Sequence, residues 1–167
     1  LPNRRKFELD FPTYLTKNNK EKVALFFFDI DRFKTINDSF GHAVGDMLIK
    51  EVAKILSKEF KNQGTIYRFA GDEFILILPN QTDELIQENA RRILSLFDKS
   101  IQLPSLKVYA TCSVGISVFP DHSSSGTELL SFANFAMHNA KHTGRNLFQI
   151  YDPSEEMVQK EKVLIEN

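Results

Sequence analysis

Cysteine occurs only once in this chain of 167 residues, at Cys112. A single thiol excludes a disulfide within the chain and a metal site built from clustered cysteines. Cys112 lies in a strand-like run over residues 109–114, so we expect it to be a small buried hydrophobic residue.

The chain also lacks an excess of charge of either sign. It has 21 basic and 22 acidic residues, which leave a formal net charge of -1. This balance supplies no overall attraction to nucleic acid or to an anionic membrane. We therefore expect no nucleic-acid partner, and any binding of phosphate must depend on local positive charge.

Long apolar stretches are missing as well. The longest wholly apolar run covers residues 23–28, far short of the roughly 20 residues that span a bilayer. No positively charged and then apolar signal peptide opens the sequence. We expect a soluble, cytoplasmic fragment with no membrane contact of its own, although its parent protein could be membrane-anchored.

The length and the hydrophobic content of 42% suit one domain with a sizeable core. The run over residues 22–31 predicts a central strand that is apolar on both faces, so it must be covered on both sides. Pro79 and Asn80 should end the second strand of a hairpin, and Gly41 should provide a left-handed helix cap. The other patterns predict a helix near the N-terminus, helices over residues 32–40, 44–60, 82–97 and 126–143, and strands over residues 65–69, 74–78, 106–119 and 147–151. This order indicates the α+β class, with a mainly antiparallel sheet flanked by helices.

Two acidic clusters stand at the ends of predicted strands. Asp72 and Glu73 follow Gly71 at the tip of the hairpin, and Asp29-Ile30-Asp31 ends the central strand. Two strands that end in carboxylates can bring those carboxylates together. The simpler alternative is a pair of unrelated, solvated turns.

Four stretches together resemble the GGDEF family of diguanylate cyclase domains. They are residues 29–38, residues 40–46 with Phe40-Gly41-His42 and Gly45-Asp46, residues 68–74, and residues 140–146. The resemblance extends from residue 1 to residue 151 and implies a ferredoxin-like core, similar to the palm of adenylyl cyclases and polymerases. It assigns residues 1–152 to the GGDEF domain, implies that a few residues precede Leu1 in the parent protein, and leaves residues 153–167 as a C-terminal linker helix. The position of that helix resembles the connector to a following EAL phosphodiesterase domain.

The resemblance implies a metal site for Mg²⁺ or Mn²⁺. Asp29, the carbonyl of Ile30, Asp72 and Glu73 would hold the ions, since hard cations prefer carboxylate and carbonyl oxygens. Asp72 or Glu73 would also help to deprotonate the attacking 3′-hydroxyl. Asp31 is expected to have a structural role instead.

The resemblance also implies a guanine site. Asn37 and Asp46 would recognise the base. The amide of Asn37 would pair with a purine acceptor, and the carboxylate of Asp46 would accept from the N1 and N2 protons that guanine presents together, which favours GTP over ATP. Two alternatives remain open: Asp46 could be a first-turn acid stabilised by the helix dipole, and Asn37 could cap a turn.

The remaining substrate contacts follow from the same motifs. Lys34, Lys141 and Arg145 are the expected phosphate partners, and Lys141 also suits a helix C-terminus. His42 either approaches the phosphate loop or caps a helix. Phe33 and Gly71 belong to the matching motifs, and Gly71 would let the backbone approach phosphate. The other histidines, His122, His138 and His142, are expected on the surface.

Three departures from the family pattern stand out. Ala70 replaces the usual first glycine of the turn, and we predict that its φ is negative, so that only a methyl group is added. Asn134 and His138 replace a common aspartate and tyrosine in the last helix, with an effect on packing alone. Residues 61–64 read Lys-Asn-Gln-Gly where the inhibitory product site would have Arg-x-x-Asp, so product inhibition through that site should be absent.

The resemblance implies an enzyme that condenses two GTP molecules into cyclic di-GMP and releases two pyrophosphates. Each domain would bind one GTP, so a homodimer is needed for catalysis, and sensory or EAL domains are expected in the same polypeptide. One alternative is a degenerate GTP-binding domain that regulates an attached phosphodiesterase. A third hypothesis is a receptor for cyclic nucleotides or an interaction domain.

Overall fold

A computed structural model describes residues 1–17 and 21–166, with side chains through residue 162. The helices are α1 (Arg4–Lys17), α2 (Phe33–Phe40), α3 (His42–Glu59), α4 (Asp83–Ser95), α5 (Gly126–His142) and α6 (Pro153–Glu166). The strands are β1 (Lys22–Ile30), β2 (Thr65–Ala70), β3 (Glu73–Gln81), β4 (Ile101–Gln102), β5 (Lys107–Val108), β6 (Cys112–Phe119) and β7 (Phe148–Ile150). The α+β class predicted from the sequence is confirmed.

Five strands form the main sheet in the order β2-β3-β1-β6-β7. All neighbours are antiparallel except β6 and β7, which run parallel. The first four of these strands have the order of a ferredoxin-like core, with β1 in the centre. The remaining strands, β4 and β5, pair with each other in a small separate ribbon.

Strand β1 is buried on both faces, as its continuous apolar sequence predicts. Ala24, Phe26, Phe28 and Ile30 point into a core cluster shared with α3 and α4. Val23, Leu25 and Phe27 point into a second cluster shared with α1 and α5. This double coverage fixes the direction in which β1 presents the residues at its C-terminal end.

The structure corrects several predicted boundaries. Strand β3 does not end at Pro79 and Asn80 but continues to Gln81. Between the pairs Ala24–Leu78 and Lys22–Gln81 the register shifts, so Pro79 and Asn80 bulge out opposite one residue of β1, and a proline is tolerated at a bulge. The predicted strand over residues 106–119 is two strands, β5 and β6, separated by residues 109–111.

Helix α3 begins at His42, two residues earlier than predicted. Gly41 links α2 to α3 with φ 91° and ψ 159°. Its φ is positive, but this ψ is not that of the left-handed helical cap predicted for it. Asp46 consequently lies beyond the first turn of α3, which contains no acidic residue, so the alternative role of Asp46 as a first-turn acid is wrong.

The C-terminal helix α6 is attached to α5 through its first turn. Asn139 on α5 donates to Glu155 at 2.7 Å, and the hydroxyl of Tyr151 donates to Glu156. Asn167, the last residue of the predicted linker, lies outside the described residues. Within the part of the chain that the structure describes, no helix is long and apolar enough to cross a bilayer.

Candidate active site

The ends of β1 and α5, the β2–β3 turn and helix α2 surround a pocket of about 610 Å³. Its volume is typical of small-molecule sites. Of the residues that the sequence assigns to a site, nine line this pocket: Asp29, Ile30, Phe33, Lys34, Asn37, His42, Asp72, Lys141 and Arg145. Gly71, Glu73 and Asp46 are not among the lining residues.

Asp29 lies at the C-terminal end of β1 and is 6% exposed. Its Oδ2 accepts a hydrogen bond from the ammonium group of Lys141 at 2.6 Å. Its Oδ1 is buried and has no hydrogen-bond partner among the described residues. Burial raises the pKa of Asp29 to about 6, although the Lys141 ammonium acts in the opposite direction. The site therefore contains a desolvated carboxylate with one unused oxygen.

Asp72 and Glu73 lie at the turn between β2 and β3. Burial raises the pKa of both carboxyl groups, and for Glu73 the neighbouring charge of Asp72 raises it further. Glu73 is paired with Asp29 across the β1–β3 ladder, so it lies next to the pocket without lining it. The two acidic clusters of the sequence are thus brought together.

The turn itself resolves the conformation of Ala70. Ala70 is the last residue of β2 and pairs with Glu73, and its φ is not positive, as predicted. The positive φ of the turn, 44°, belongs to Gly71, whose carbonyl accepts from Arg68 Nε at 3.0 Å. The alanine therefore adds an exposed methyl group without straining the backbone.

The predicted metal ligands fit a hard divalent cation. Asp29 Oδ1 is buried without a partner, and Asp72 faces the same pocket. In the described residues, no three His, Cys, Asp or Glu side chains converge to hold a metal by themselves. The predicted set differs from such a cluster because it includes the backbone carbonyl of Ile30, and backbone carbonyls are ordinary ligands of hard cations.

Asn37 lines the pocket from α2. Its Oδ1 is buried and has no hydrogen-bond partner among the described residues, so its side chain does not cap a turn. Gly45 lies beneath it on α3: a Cβ atom at Gly45 would lie 1.9 Å from Asn37 Oδ1. Asp46, the predicted second guanine contact, is exposed. Of the two base-recognition residues, Asn37 alone lines the pocket.

The cationic side chains take different positions. Lys34 and Arg145 are exposed pocket residues, whereas Lys141, predicted as a phosphate partner, is bonded to Asp29. His42 lines the pocket and does not hold the N-cap position of α3, which belongs to Gly41. Arg145 follows the end of α5, where its N–H donates to the carbonyl of Ala140 at 3.1 Å in a Schellman arrangement.

Two further residues of the pocket were not predicted from the sequence. Arg32 and Asp38 also line the pocket, and Arg32 has the left-handed conformation, with φ 56°. Both lie inside the stretch 29–38 that carries the family resemblance. Their position in that motif was the available signal, but alternation and helical spacing do not distinguish them from solvated residues.

The family described as "Diguanylate cyclase, GGDEF domain" matches residues 1–147. The chain is 32% identical over 153 residues to the cyclic di-GMP phosphodiesterase PdeR of Escherichia coli, covering 92% of this chain and 23% of PdeR. It is 38% identical over 128 residues to diguanylate cyclase A of Treponema denticola, covering 76% of this chain and 34% of that protein.

The solved structures that resemble this chain include GGDEF domains as well. The GGDEF domain of TpbB from Pseudomonas aeruginosa superposes with a TM-score of 0.90 at 29% identity, covering 96% of this chain and 95% of that domain. The active GGEEF domain of a diguanylate cyclase from Vibrio cholerae gives a TM-score of 0.81 at 28% identity, with 91% of this chain and 98% of that domain covered. The chain spans between 23% and 34% of the length of the two curated relatives named above. The chain belongs to the GGDEF family of diguanylate cyclase domains.

Proposed function

We propose that this domain is a diguanylate cyclase that binds GTP with Mg²⁺ or Mn²⁺ and, in a dimer, condenses two GTP molecules into cyclic di-GMP. One observation carries the proposal. Asp29 and Asn37 both line the pocket, and each carries a buried side-chain oxygen without a protein partner among the described residues. Buried polar atoms are normally paired, so these two oxygens indicate a ligand that supplies a cation and a hydrogen-bond donor.

The metal would be held by Asp29 and Asp72, with the carbonyl of Ile30 and with Glu73 from the neighbouring strand. When bound, it neutralises triphosphate charge and makes a hydroxyl a better nucleophile. The side chain of Asp72 or Glu73 then accepts the proton of the 3′-hydroxyl.

The chain's other residues bind and orient the nucleotide. Asn37 Oδ1 accepts from an N–H group on the guanine edge, with Phe33 beside it, while Lys34 and Arg145 contact the phosphates. Gly71, with an open space above its Cα, lets the backbone of the turn come close to a phosphate. Asp46 and His42 are proposed to contact the nucleotide from the first turns of α3.

A single pocket binds one GTP, and the product joins two. In each half of the reaction the 3′-oxygen of one nucleotide bonds to the α-phosphorus of the other, and pyrophosphate leaves. Two domains must therefore face each other with their pockets opposed. Because this chain spans only 23% and 34% of the lengths of the two curated relatives named above, we propose that sensory or EAL domains are attached, with residues 153–167 as the connector.

A second candidate is a GTP-binding regulator of an attached phosphodiesterase. It is favoured by the similarity to PdeR and to NbdA of Pseudomonas aeruginosa, which are both cyclic di-GMP phosphodiesterases. Ala70 is the sequence departure that such a role would explain. The fit of Ala70 into the turn without a positive φ supports the cyclase instead.

The substitution Asp72→Asn tests the cyclase directly. It keeps the shape of the side chain and removes one metal-binding charge, so cyclic di-GMP synthesis from GTP should be lost while the thermal unfolding curve stays unchanged. Asp98→Asn, a matched change of an exposed carboxylate after α4, should retain full turnover. If Asp72→Asn made product at the wild-type rate, Asp72 would have no role in catalysis.

A further inference from the structure

Asp31 is a buried carboxylate that the proposed chemistry does not use. It follows the end of β1 and is 4% exposed, and it does not line the pocket. Both of its oxygens are engaged by groups of the protein: Ser113 Oγ donates to Oδ1 at 2.6 Å, and Thr111 Oγ1 donates to Oδ2 at 2.6 Å. Oδ2 also accepts from the backbone N–H of Asn146 at 3.1 Å.

The third of these bonds reaches an unusual loop. Gly144, Arg145 and Asn146 have φ values of 130°, 63° and 52°, and residues other than glycine adopt positive φ only when their surroundings hold them there. These three consecutive residues with positive φ, two of which are not glycine, turn the chain from the end of α5 into β7. Arg145, the middle one, lines the pocket.

The loop is held at three points. At its start, the N–H of Arg145 donates to Ala140 on α5. At its far end, Leu147 accepts from Val114 on β6 at 3.0 Å. Between these points, the bond from Asn146 to Asp31 connects the loop to the central strand. Asp31 is itself fixed to β6 through the bond from Ser113, and its own N–H donates to the carbonyl of Thr111, just before β6, at 2.8 Å.

We propose that Asp31 is a positioning residue that orients Arg145 toward the phosphates of the bound nucleotide. It contacts the nucleotide nowhere and acts through the backbone of Asn146. As an ionised carboxylate, Asp31 accepts from all three donors with charge-assisted bonds. An asparagine at this place would offer one neutral carbonyl oxygen, and the hydroxyl of Ser113 or Thr111 would have to accept from its NH₂. This inference rests on the proposed function in one respect, that the pocket binds a triphosphate.

Arg145 supplies the expected size of the effect. A hydrogen bond between an arginine and a phosphate oxygen is charge-assisted, and losing it weakens binding by about tenfold or more. Arg145→Ala should therefore weaken the affinity for Mg·GTP by about tenfold, and Asp31→Asn by a similar factor. The double variant should bind no more weakly than Arg145→Ala alone, because the residue that Asp31 positions is already gone.

Asn37 provides the contrast in the same titrations. Asn37 would contact the nucleotide from α2, and no hydrogen bond joins it to the Arg145 loop among the described residues. The factors by which Asp31→Asn and Asn37→Ala lower the affinity should therefore multiply. A purely structural role for Asp31 would lower the affinity by the same factor in every background. Thr111→Val, which removes a single donor to Asp31 Oδ2, should show the same dependence on Arg145 with a smaller loss, and it serves if Asp31→Asn does not fold.

The experiment is calorimetry with Mg·GTP on the folded wild type and these variants, together with hydrogen exchange in the free protein. We expect faster exchange of the Asn146 amide in Asp31→Asn, with unchanged exchange along β3. The proposal would be overturned if the double variant lost affinity by the product of the factors for Asp31→Asn and Arg145→Ala. Unchanged hydrogen exchange of the Asn146 amide in Asp31→Asn would also overturn it. If the wild type bound no GTP, the proposed function would fail and this inference with it. If the wild type bound GTP but the affinity losses of the two single variants multiplied in the double variant, only the inference would be rejected.

Discussion

At the scale of single residues, Gly45 leaves the space that the side chain of Asn37 occupies beside the proposed nucleotide site. Asn37 Oδ1 lies where a side chain at Gly45 would have to be, 1.9 Å from the position of a Cβ atom, and Phe33 Cζ is 3.1 Å from the same position. These neighbours are side chains rather than backbone. A larger residue at Gly45 would therefore displace the Asn37 amide while leaving the fold intact.

Gly45→Ala should weaken GTP binding by about tenfold, the equivalent of one lost hydrogen bond. The melting temperature should stay the same or rise, since alanine is favoured over glycine within a helix by about 1 kcal/mol. Calorimetry and thermal unfolding measure the two effects. Combining Gly45→Ala with Asn37→Ala should cost no more affinity than Asn37→Ala alone, and a further loss would show that Gly45 acts through another contact.

Ala70 belongs to the same scale. Because Ala70 is a strand residue without a positive φ and Gly71 takes the left-handed conformation, a glycine at position 70 removes only a methyl group. Ala70→Gly should change the rate of cyclic di-GMP synthesis by less than about tenfold, or about 1.4 kcal/mol in the barrier. A change from undetectable to robust synthesis would instead establish the wild-type domain as a degenerate regulator.

At the scale of elements, α5 is packed onto β6 with no space for a side chain between them. A Cβ atom at Gly115 in β6 would lie 2.1 Å from both the carbonyl oxygen of Ala133 and the amide nitrogen of Met137. Both atoms belong to the backbone of α5. The helix would have to move, and with it Lys141 and Arg145 at its C-terminal end.

Gly115→Ala should therefore lower the free energy of unfolding by about 3 kcal/mol or more, which corresponds to roughly 6–12 °C in melting temperature. Gly126→Ala is the matched control, because its nearest neighbour is a side-chain atom of Phe11 at 3.3 Å. That control should stay within about 1 kcal/mol of the wild type. Equal stability of the two variants in denaturant unfolding would show that α5 can shift at no cost.

The segment between β6 and α5 contains a titratable contact. His122, expected on the surface, is half-buried, and its Nδ1 accepts from the N–H of Val118 at 2.8 Å while its ring packs edge-on against Tyr151. Burial is the main cause that lowers the pKa of His122; nearby Lys22 also lowers it, against the raising effects of Asp121 and Asp152. The folded state thus favours the neutral imidazole.

Below the ordinary histidine pKa of about 6.5, the unfolded chain binds this proton more readily than the folded one. The free energy of unfolding should therefore fall as the pH drops below about 6.5, and level off once the pH is below the lowered pKa of the folded state. His122→Asn retains an acceptor for Val118 and does not titrate, so denaturant unfolding between pH 7.5 and 5 should show a smaller loss for this variant. Parallel pH profiles would mean that His122 does not contribute.

At the scale of the whole molecule, the sequence predicted the layers better than the details of the site. The two-faced burial of β1 follows from its continuous apolar run, because such a strand needs a helix layer on each side. The alternation over residues 106–119 could not reveal the break at residues 109–111, since an extended loop alternates in the same way. The early start of α3 was missed because Gly41 precedes it in place of a Ser, Thr or Asp cap.

The residues of the candidate site could be predicted where several of them belong to one sequence motif. Contacts between residues far apart in the sequence could not. Asp29, Ile30, Phe33 and Asn37 came from one stretch and line one pocket. The ion pair between Asp29 and Lys141, which are 112 positions apart, depends on how α5 lies on the sheet. The bond from Asp31 to the Arg145 loop has the same origin. Such contacts are set by packing, which no local pattern encodes.

The central claim is that two copies of this domain, each with one GTP in its pocket, make cyclic di-GMP. The most direct test is the rate of synthesis from GTP and Mg²⁺, followed by chromatography over a wide range of domain concentrations, with Asp72→Asn as the inactive reference. We predict cyclic di-GMP from the wild type, with a rate per domain that rises with concentration until the dimer is saturated. Two results would contradict the account. One is a wild-type domain that forms a dimer and binds GTP but makes no cyclic di-GMP; the other is a monomeric domain whose rate of synthesis per domain does not depend on its concentration.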